Sequence, residues 1–237
     1  MKNYMSYAEA DELCDGLVRE YLGKAAPIPR CIDIEGFVRD YLKCPVVYEN
    51  FAEDDPNKLG FLSDGRSPLN IRKKGRILTV IFPINTIVLD CFLLRPEETN
   101  RKRFTLSHEV GHFLANKISP PTAPCFHRPY DSEKEYKKAE LREQFTLDEW
   151  QANTLGASLL MPRFVMQKAL KDFNSGRRLP VYGEGVFHPK EKVIINKMAD
   201  SLCVSYTALI IRLRSLGMLN PHPISEYIQK ELRLGGA

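Results

Sequence analysis

The sequence has little of several features that mark particular protein classes. Its six cysteines include no C-x-x-C pair, so a structural zinc knuckle is not expected. The longest apolar runs, such as residues 77–84, fall far short of the roughly 20 residues that a membrane span needs. Residues 1–14 are polar and lack the apolar stretch of a signal peptide. We therefore expect a cytoplasmic protein with free thiols and no membrane contact.

A strong excess of one charge is absent as well. With 34 basic and 30 acidic side chains, the 237-residue chain has a formal net charge of +4, so composition does not predict a nucleic-acid partner. Two short basic runs, at 72–76 and 101–103, are interpreted as solvated surface. No repeat or low-complexity segment is present. The length suits one large domain, or one domain with a small appendage.

Hydrophobic periodicity predicts an α+β chain. Glycine and proline separate its β-rich segments, which favours a small, mostly antiparallel sheet joined by hairpins. A Pro-rich and charged connection, closed off from the preceding helix by Pro120 and Pro121, occupies 119–145 and includes a partly helical stretch at 134–144. The chain from 163 to 233 is predicted to be mostly helical except for 175–189. The earlier helices are predicted at 8–22, at 33–42, from about 97 or 100 to 117, and at 147–161, and the strands at 46–48, 59–62, 77–82 and 86–94.

The strongest motif is H-E-x-x-H at residues 108–112, inside the predicted helix 97–117. Residues four apart lie on one face of a helix, so His108 and His112 can present two imidazole nitrogens to one zinc ion. Glu109 can take a proton from the metal's water and deliver it to a leaving amine. The pattern predicts a zinc peptidase. The alternative is a chance match on an amphipathic helix whose histidines only pack.

A third protein ligand is needed, with one zinc position left open for water. Glu149 is the best candidate, and Asn153 lies one turn later on the same face, where it can hydrogen-bond a ligating histidine. A competing interpretation is structural, because Thr146 and Glu149 have the spacing of a capping box. Asp148 would then be the ligand, or the helix would begin earlier.

Two further features bear on the predicted chemistry: a glycine inside the H-E-x-x-H helix, and the group that would stabilise the oxyanion. Gly111 costs about 1 kcal/mol relative to alanine within a helix, so we expect some other group, for example a strand or a substrate backbone, to approach it closely. A peptidase also needs a hydrogen-bond donor aimed at the developing oxyanion. The sequence does not choose among the candidates, which are His127, Tyr130, Tyr182, His188 and Tyr206.

Residues 103–112, Arg-Phe-Thr-Leu-Ser-His-Glu-Val-Gly-His, resemble the R-F-T-L-A-H-E-L-G-H segment of the ImmA/IrrE metallopeptidases. Residues 149–153, Ala157 and the Leu-Leu-Met-Pro sequence at 159–162 resemble that family's E-x-E-A-N-x-F-A-x-x-L-L-M-P segment. The resemblance covers roughly residues 30–165, and two long motifs in the right order are far more specific than H-E-x-x-H alone.

The resemblance implies a zincin-like domain with the gluzincin arrangement. It carries over His108, His112 and Glu149 as zinc ligands and Glu109 as the catalytic glutamate. Gln151 stands where the family often has a second Glu, which leaves Glu149 as the matching acid. Leu155 replaces the usual Phe, which is a change in packing.

The resemblance also implies a narrow protein substrate, since members of this family cut a helix-turn-helix transcriptional repressor. The chain is thus predicted to be a regulatory endopeptidase, divided into a peptidase domain at 1–170 and a helical segment at 171–237. We expect an extended substrate to add alongside an edge strand near residues 86–94. The sequence indicates neither the cleavage site nor the oligomeric state.

The helical C-terminal segment resembles a helix-turn-helix over residues 197–215, with Cys203 where glycine is usual. Its second helix is predicted to expose Arg212 and Arg214 but few groups suited to base edges. We expect this pair to cover the core rather than to bind DNA. Two rival functions stay open: a DNA-binding regulator with a structural or vestigial metal site, and a module that holds a repressor without cutting it.

Overall fold

Helices and small sheets alternate along the chain, which confirms the α+β class. The structure, a computed structural model, describes residues 5–23, 25–55, 58–118 and 147–229. The helices are α1 (Tyr7–Leu22), α2 (Ile34–Gly36, continuing as a π-helical turn, Phe37–Leu42), α3 (Thr99–Ile118), α4 (Leu147–Leu160), α5 (Arg163–Asn174), α6 (Pro189–Leu202), α7 (Tyr206–Ser215) and α8 (Ile224–Tyr227). The strands are β1 (Val46–Glu49), β2 (Gly60–Leu62), β3 (Leu69–Lys73), β4 (Arg76–Val80), β5 (Ile87–Asp90), β6 (Leu179–Tyr182) and β7 (Leu219–His222).

Helix α1 shows how local signals set an element that supports the site. The Ser6 side chain accepts a hydrogen bond from the Glu9 backbone and Glu9 bonds back, a capping box that satisfies the first free amides. The helix ends at Gly23, whose φ of 82° suits glycine. Cys14 and Val18 are fully buried on its inner face, and the Cys14 thiol donates to the Leu155 carbonyl of α4. Helix α1 therefore backs the helix that carries the predicted glutamate.

The sheets are smaller and more mixed than predicted. The three-stranded sheet has the order β1-β5-β2, in which β1 pairs parallel and β2 antiparallel with β5. Strands β3 and β4 form an antiparallel hairpin, joined to the chain after β1 by the bridge Phe51–Ile71. Strands β6 and β7 pair in parallel near the C-terminus. The sequence did not predict β3, β6 or β7.

Strand β5 lies between β1 and β2, so the prediction of an edge strand near residues 86–94 is wrong. The strand also ends early, because the Asp90 side chain accepts from the Phe92 backbone and starts the 3-10 turn Cys91–Leu94. Both edges of β5 are paired with neighbouring strands, so a substrate strand cannot add to it. The edge near helix α3 is β2.

The main hydrophobic core includes residues from both sides of the predicted boundary at 170, among them Leu106, Leu159, Leu170, Ile195 and Leu209. Nothing in the fold tests the division at 170/171, and it stays a prediction. No single helix in the described ranges is long and apolar enough to cross a membrane, although α6 and α7 together reach that length and composition across a 99° bend.

Helices α6 and α7 occupy the segment that resembles a helix-turn-helix. Cys203 ends α6 in the left-handed conformation, at φ 55°, where glycine is usual. The prediction of an exposed Arg212 is wrong, because this side chain is 3% exposed and its guanidinium lies 2.7 Å from Asp11 of α1. Arg214 is exposed and donates to the Glu184 carbonyl. Of the two arginines predicted to be exposed on α7, one therefore points into the core.

Several predictions fall outside the described residues. They are the connection at 119–145 with its prolines and its helix at 134–144, the capping residue Thr146, and the oxyanion candidates His127 and Tyr130. The five cysteines in the described ranges, Cys14, Cys31, Cys44, Cys91 and Cys203, are free thiols, as expected.

Candidate metal centre

Close packing of α3 against α4 builds the site, and two glycines permit it. A Cβ on Gly111 would lie 2.2 Å from the Ala152 carbonyl oxygen, and a Cβ on Gly156 would lie 2.8 Å from the Ser107 carbonyl oxygen. Real Cβ atoms do not approach backbone so closely. The close approach expected at Gly111 is thus present, and the group that approaches is the backbone of a helix. This contact brings Glu149 and Asn153 against the histidines of α3.

Three side chains from these helices converge on one point. His108 and His112 have their Nε2 atoms 3.0 Å apart, and the Glu149 carboxylate oxygens lie 3.3 Å from the first and 3.4 Å from the second. Ligands about 2.0–2.1 Å from a tetrahedral zinc would be separated by about 3.3 Å. The three groups therefore fit one zinc-sized cation, and within the described residues they are the one His/Cys/Asp/Glu group close enough to hold a metal.

Asn153 occupies the position that the sequence predicted for it. Its Oδ1 lies 2.8 Å from Nδ1 of His108, on the ring nitrogen opposite the convergence point. An amide oxygen there requires the proton on Nδ1, which leaves Nε2 with its lone pair directed at the site. In this arrangement Nε2 of His108 is the ring nitrogen that faces the convergence point.

Glu109 lies beside this group, under strand β2. A Cβ on Gly60 of β2 would lie 2.4 Å from the Glu109 Oε1 and 2.8 Å from the Thr105 side chain, so only glycine lets the strand pass this closely over α3. Glu109 is 3% exposed. The carboxylate is therefore held between the active-site helix and an edge strand.

Burial and charge oppose each other at the first histidine. Burial lowers the pKa of His108, but its hydrogen bond to Glu149 and the negative charges of Glu109 and Glu149 raise it by more, so the pKa lies above its usual value of 6.5. Two carboxylates close to two imidazoles attract either protons or a metal cation. The electrostatics of the site therefore favour a bound positive charge.

The alternatives for the third ligand can be compared with this geometry. Glu149 is 1% exposed and points at both histidines, whereas Asp148 is partly exposed and is not among the three converging groups. Glu149 therefore faces the histidines, which favours the ligand interpretation over the capping box.

The remaining oxyanion candidates lie in other surroundings. Tyr182 and His188 pack edge to face at 4.6 Å in a ring cluster with His222 and Tyr227, formed around β6, β7 and α8. Tyr206 is the first residue of α7. No contact seen in the described part of the chain joins these three candidates to the metal centre, so the oxyanion donor stays unassigned.

Arg103 and Gly60 are site-supporting residues whose roles sequence reasoning missed. Arg103 was assigned to a solvated basic run but is 8% exposed, and it donates to the Cys203 carbonyl at 3.1 Å and to the Ile32 carbonyl at 2.7 Å. It thereby ties the start of α3 to the turn between α6 and α7. The only available signal was its place in the family-like segment, five residues before His108. Nothing in the sequence marked Gly60.

Comparison with known proteins agrees with this geometry. No curated protein matches the sequence significantly. The family model described as the IrrE N-terminal-like domain, of the peptidase M78 family, matches residues 92–214. That span exceeds half of the 237-residue chain, and it contains both motifs, all three converging groups and Glu109. The protein belongs to this family and is an ImmA/IrrE family metallopeptidase.

Proposed function

We propose that this metallopeptidase is a zinc-dependent endopeptidase of the gluzincin type, with His108, His112 and Glu149 as the metal ligands. The observation that carries the proposal is the mutual spacing of their donor atoms, 3.0, 3.3 and 3.4 Å, in a buried site. Imidazole and carboxylate are ligands that zinc accepts, and three of them leave one position for water. Bound zinc would supply Lewis-acid activation of a water and of the scissile carbonyl.

Glu109 is proposed as the general base and then the general acid. It follows the first ligand directly in the helix, and its carboxylate is held between α3 and Gly60 of β2. From there it accepts a proton from the attacking water and donates it to the leaving amine. Asn153 acts through His108, whose tautomer and orientation it fixes.

The open edge of β2 is the proposed place for the substrate backbone. Ser63 donates to the Thr86 carbonyl and Leu59 accepts from Asp90, so residues 59, 61 and 63 face β5. The backbone groups of Gly60 and Leu62 therefore point to the other side, where an extended peptide would add as a further strand. This edge runs past Glu109, so strand addition would carry a peptide bond towards the proposed base.

The proposed substrate is a helix-turn-helix transcriptional repressor, and the outcome of cleavage is relief of repression. This substrate is supported by the family membership of the chain. A regulatory peptidase of this kind would leave general protein substrates uncut.

Metal analysis of purified protein tests the ligand set. His108→Ala, His112→Ala and Glu149→Ala should each lose most of the bound zinc, because two remaining donors hold the ion weakly. Glu12→Ala, which changes an exposed acid on α1, is the matched control and should keep its zinc. Wild-type zinc content in the ligand variants would overturn the assignment.

Glu109→Gln separates a peptidase from a protein that only binds a repressor. The amide cannot accept the water's proton, so cleavage of a candidate repressor should fall by about 10²- to 10⁴-fold while zinc content is kept. Undiminished cleavage by this variant would remove Glu109 from the mechanism. Wild-type protein that binds zinc and a repressor but never cuts it would favour the binding module.

A further inference from the structure

The hairpin β3–β4 carries the most uneven charge distribution in the chain. Between Asp64 and Asp90 there is no acidic residue, while five basic ones occur: Arg66, Arg72, Lys73, Lys74 and Arg76. These five positive charges exceed the chain's net charge of +4, so the rest of the molecule carries a formal −1. None of the five forms an ion pair with a described residue. The segment between Asp64 and Asp90 is therefore strongly positive, and four of its five cations lie on the hairpin itself.

The same hairpin exposes large apolar side chains. Every residue from 72 to 79 is exposed. Ile77 is 60% exposed and Leu78 42%, and Ile81 and Ile84 in the following segment are 57% and 65% exposed. Four large apolar side chains exposed within eight residues, next to cations, favour an interaction surface over a purely solvated one. The first basic run is exposed, as predicted, and large apolar side chains follow it directly in the chain.

The outer edge of β4 has backbone groups available for pairing. Arg72 donates to the Asn50 carbonyl at 2.7 Å and Asn70 accepts from Ala52 at 2.8 Å, so these two residues of β3 face away from β4. In the observed register the hydrogen-bonded pairs with β4 are then residues 69, 71 and 73 with 80, 78 and 76. The alternate residues, Ile77 and Thr79, direct their N–H and C=O groups outwards, and no strand in the described ranges pairs with them.

We propose that this β4 edge is a docking site for an extended, acidic segment of a protein partner, which adds as a strand beside Ile77 and Thr79. Main-chain hydrogen bonds would supply affinity, the exposed isoleucines would take alternate apolar side chains, and the cations would select acidic ones. In taking that partner to be the substrate, the inference rests on the proposed function. The β4 edge would then select the protein that is cut at β2.

Charge and backbone chemistry favour this occupant over others. A second copy of the chain would bring the same cations to the edge, and like charges repel. A lipid surface offers no partners for the outward N–H and C=O groups of Ile77 and Thr79, which are costly to leave unpaired in hydrocarbon. Duplex DNA would neutralise the cations but gains nothing from the exposed isoleucines. An acidic strand satisfies all three features.

Fluorescence anisotropy tests the proposal on the full-length, zinc-loaded Glu109→Gln protein, which binds without cutting. The probe is a labelled peptide of about eight residues that alternates Glu with Val and Thr, and its counterpart has Lys in place of Glu. The acidic peptide should bind saturably, more weakly at higher salt, and at least about tenfold more tightly than the basic one. Equal binding of the two peptides, or none of the acidic one, would overturn the proposal.

Two pairs of variants locate the binding. Lys73→Gln/Lys74→Gln should weaken it about tenfold, whereas Lys192→Gln/Lys197→Gln, which changes exposed lysines on α6, should not. Thr79→Pro removes an outward N–H and should weaken it about tenfold, while Thr79→Ala keeps that N–H and should change it less than about twofold. An unchanged affinity of the Lys73→Gln/Lys74→Gln variant for the acidic peptide would place the site elsewhere.

Competing occupants are tested with the same variants. Stronger hairpin-dependent binding to phosphatidylcholine–phosphatidylserine vesicles or to duplex DNA than to the acidic peptide would overturn the protein partner, as would hairpin-dependent dimerisation in sedimentation. None of these results bears on zinc content or cleavage. A failed docking edge and a failed peptidase are therefore distinguishable.

Discussion

Two buried polar clusters lie on opposite faces of α4, and they differ in how their charge is balanced. On the α3 side, Glu149 faces His108 and His112, whose ring nitrogens converge with its oxygens on one point. On the α1 side, Asp11 is paired with the Arg212 guanidinium at 2.7 Å and accepts from Ser158 at 2.7 Å. The second cluster contains its own cation, whereas the first has the charge and the spacing to take one from solution. Burial of charge alone does not identify a functional site; the direction of the donor atoms does.

The largest expected effect on stability comes from breaking the ion pair between Asp11 and Arg212. Arg212→Met leaves Asp11 buried without its strongest partner and should lower the free energy of unfolding by about 3–5 kcal/mol in urea denaturation. Adding Asp11→Leu should recover much of this loss, because removing both charges also removes the desolvation cost. Lys192→Met, at an exposed position of α6, is the control and should leave the midpoint unchanged. A double variant no more stable than the single one would show that the pair does more than balance its own charge.

Chelation of zinc should affect only the cluster formed by His108, His112 and Glu149. At a zinc concentration of about 1,000 times Kd, the metal stabilises the folded state by about 4 kcal/mol, so its removal should lower Tm in the wild type. His112→Ala, which has lost a ligand, should show almost no change on chelation. Arg212→Met should lose as much as the wild type does. A zinc effect that survives in His112→Ala would place the metal elsewhere.

Acidification should weaken the zinc effect, because His108 must lose its proton to bind metal. In the metal-free protein the raised pKa of His108 contributes stability that is fully present below pH 6.5 and is lost as the pH rises through the folded-state pKa. The chelated protein should therefore gain stability from this group on going from pH 8 to pH 6, while the gain from zinc shrinks. Calorimetry with and without zinc at both pH values checks this. An equal zinc effect at the two pH values would contradict the linkage.

The sequence predicted one cluster and missed the other for a physical reason. His108, Glu109 and His112 lie within one helical turn, and Glu149 and Asn153 lie within another, so local spacing was enough to group them. Arg103 and Arg212 were predicted at the surface. Each is buried because it finds partners far away in the chain, Ile32 and Cys203 for the first and Asp11 for the second. Such pairing leaves no local pattern.

The fold shows the same division between local and distant information. Helices α1, α3 and α4 were predicted closely, because the glycine and prolines that follow them, Gly23, Pro120 and Pro162, are local signals. Strands β6 and β7 each contain a proline, Pro180 and Pro221, which argues against strand structure, and they pair only with each other across a long stretch of chain. The central position of β5 depends on β1 and β2 together, so the sequence pattern of residues 86–94 could not exclude an edge.

Gly111 tests whether helix contact positions the ligands. In Gly111→Ala the new methyl would meet the Ala152 backbone, which should cost about 1–3 kcal/mol of stability by overpacking. The displacement of α4 should also weaken zinc binding. Gly16→Ala in α1 is the matched control, since a Cβ there meets nothing within 4 Å, and helix propensity should make it more stable by about 1 kcal/mol. Gly111→Ala with unchanged stability and zinc affinity would show that α3 and α4 can separate without harm.

The smallest expected effect concerns Cys203, where the two regions meet. Its carbonyl accepts from Arg103 of α3, and its left-handed conformation is costly for most residues other than glycine and asparagine. Cys203→Gly relieves that strain and keeps the carbonyl, but it removes the thiol that neighbours Cys31. Ser175→Gly, at an exposed helix end with φ 52°, offers the same relief without such a contact.

Both variants should gain up to about 1 kcal/mol of stability in urea denaturation, and the difference between them measures the contact of the two thiols. We expect Cys203→Gly to gain slightly less than Ser175→Gly, because a thiol is a weak donor. A clear loss in Cys203→Gly would mean that this contact, rather than the Arg103 hydrogen bonds alone, holds the C-terminal helices to the segment before α2. The cysteine in a position that favours glycine would then have a structural reason.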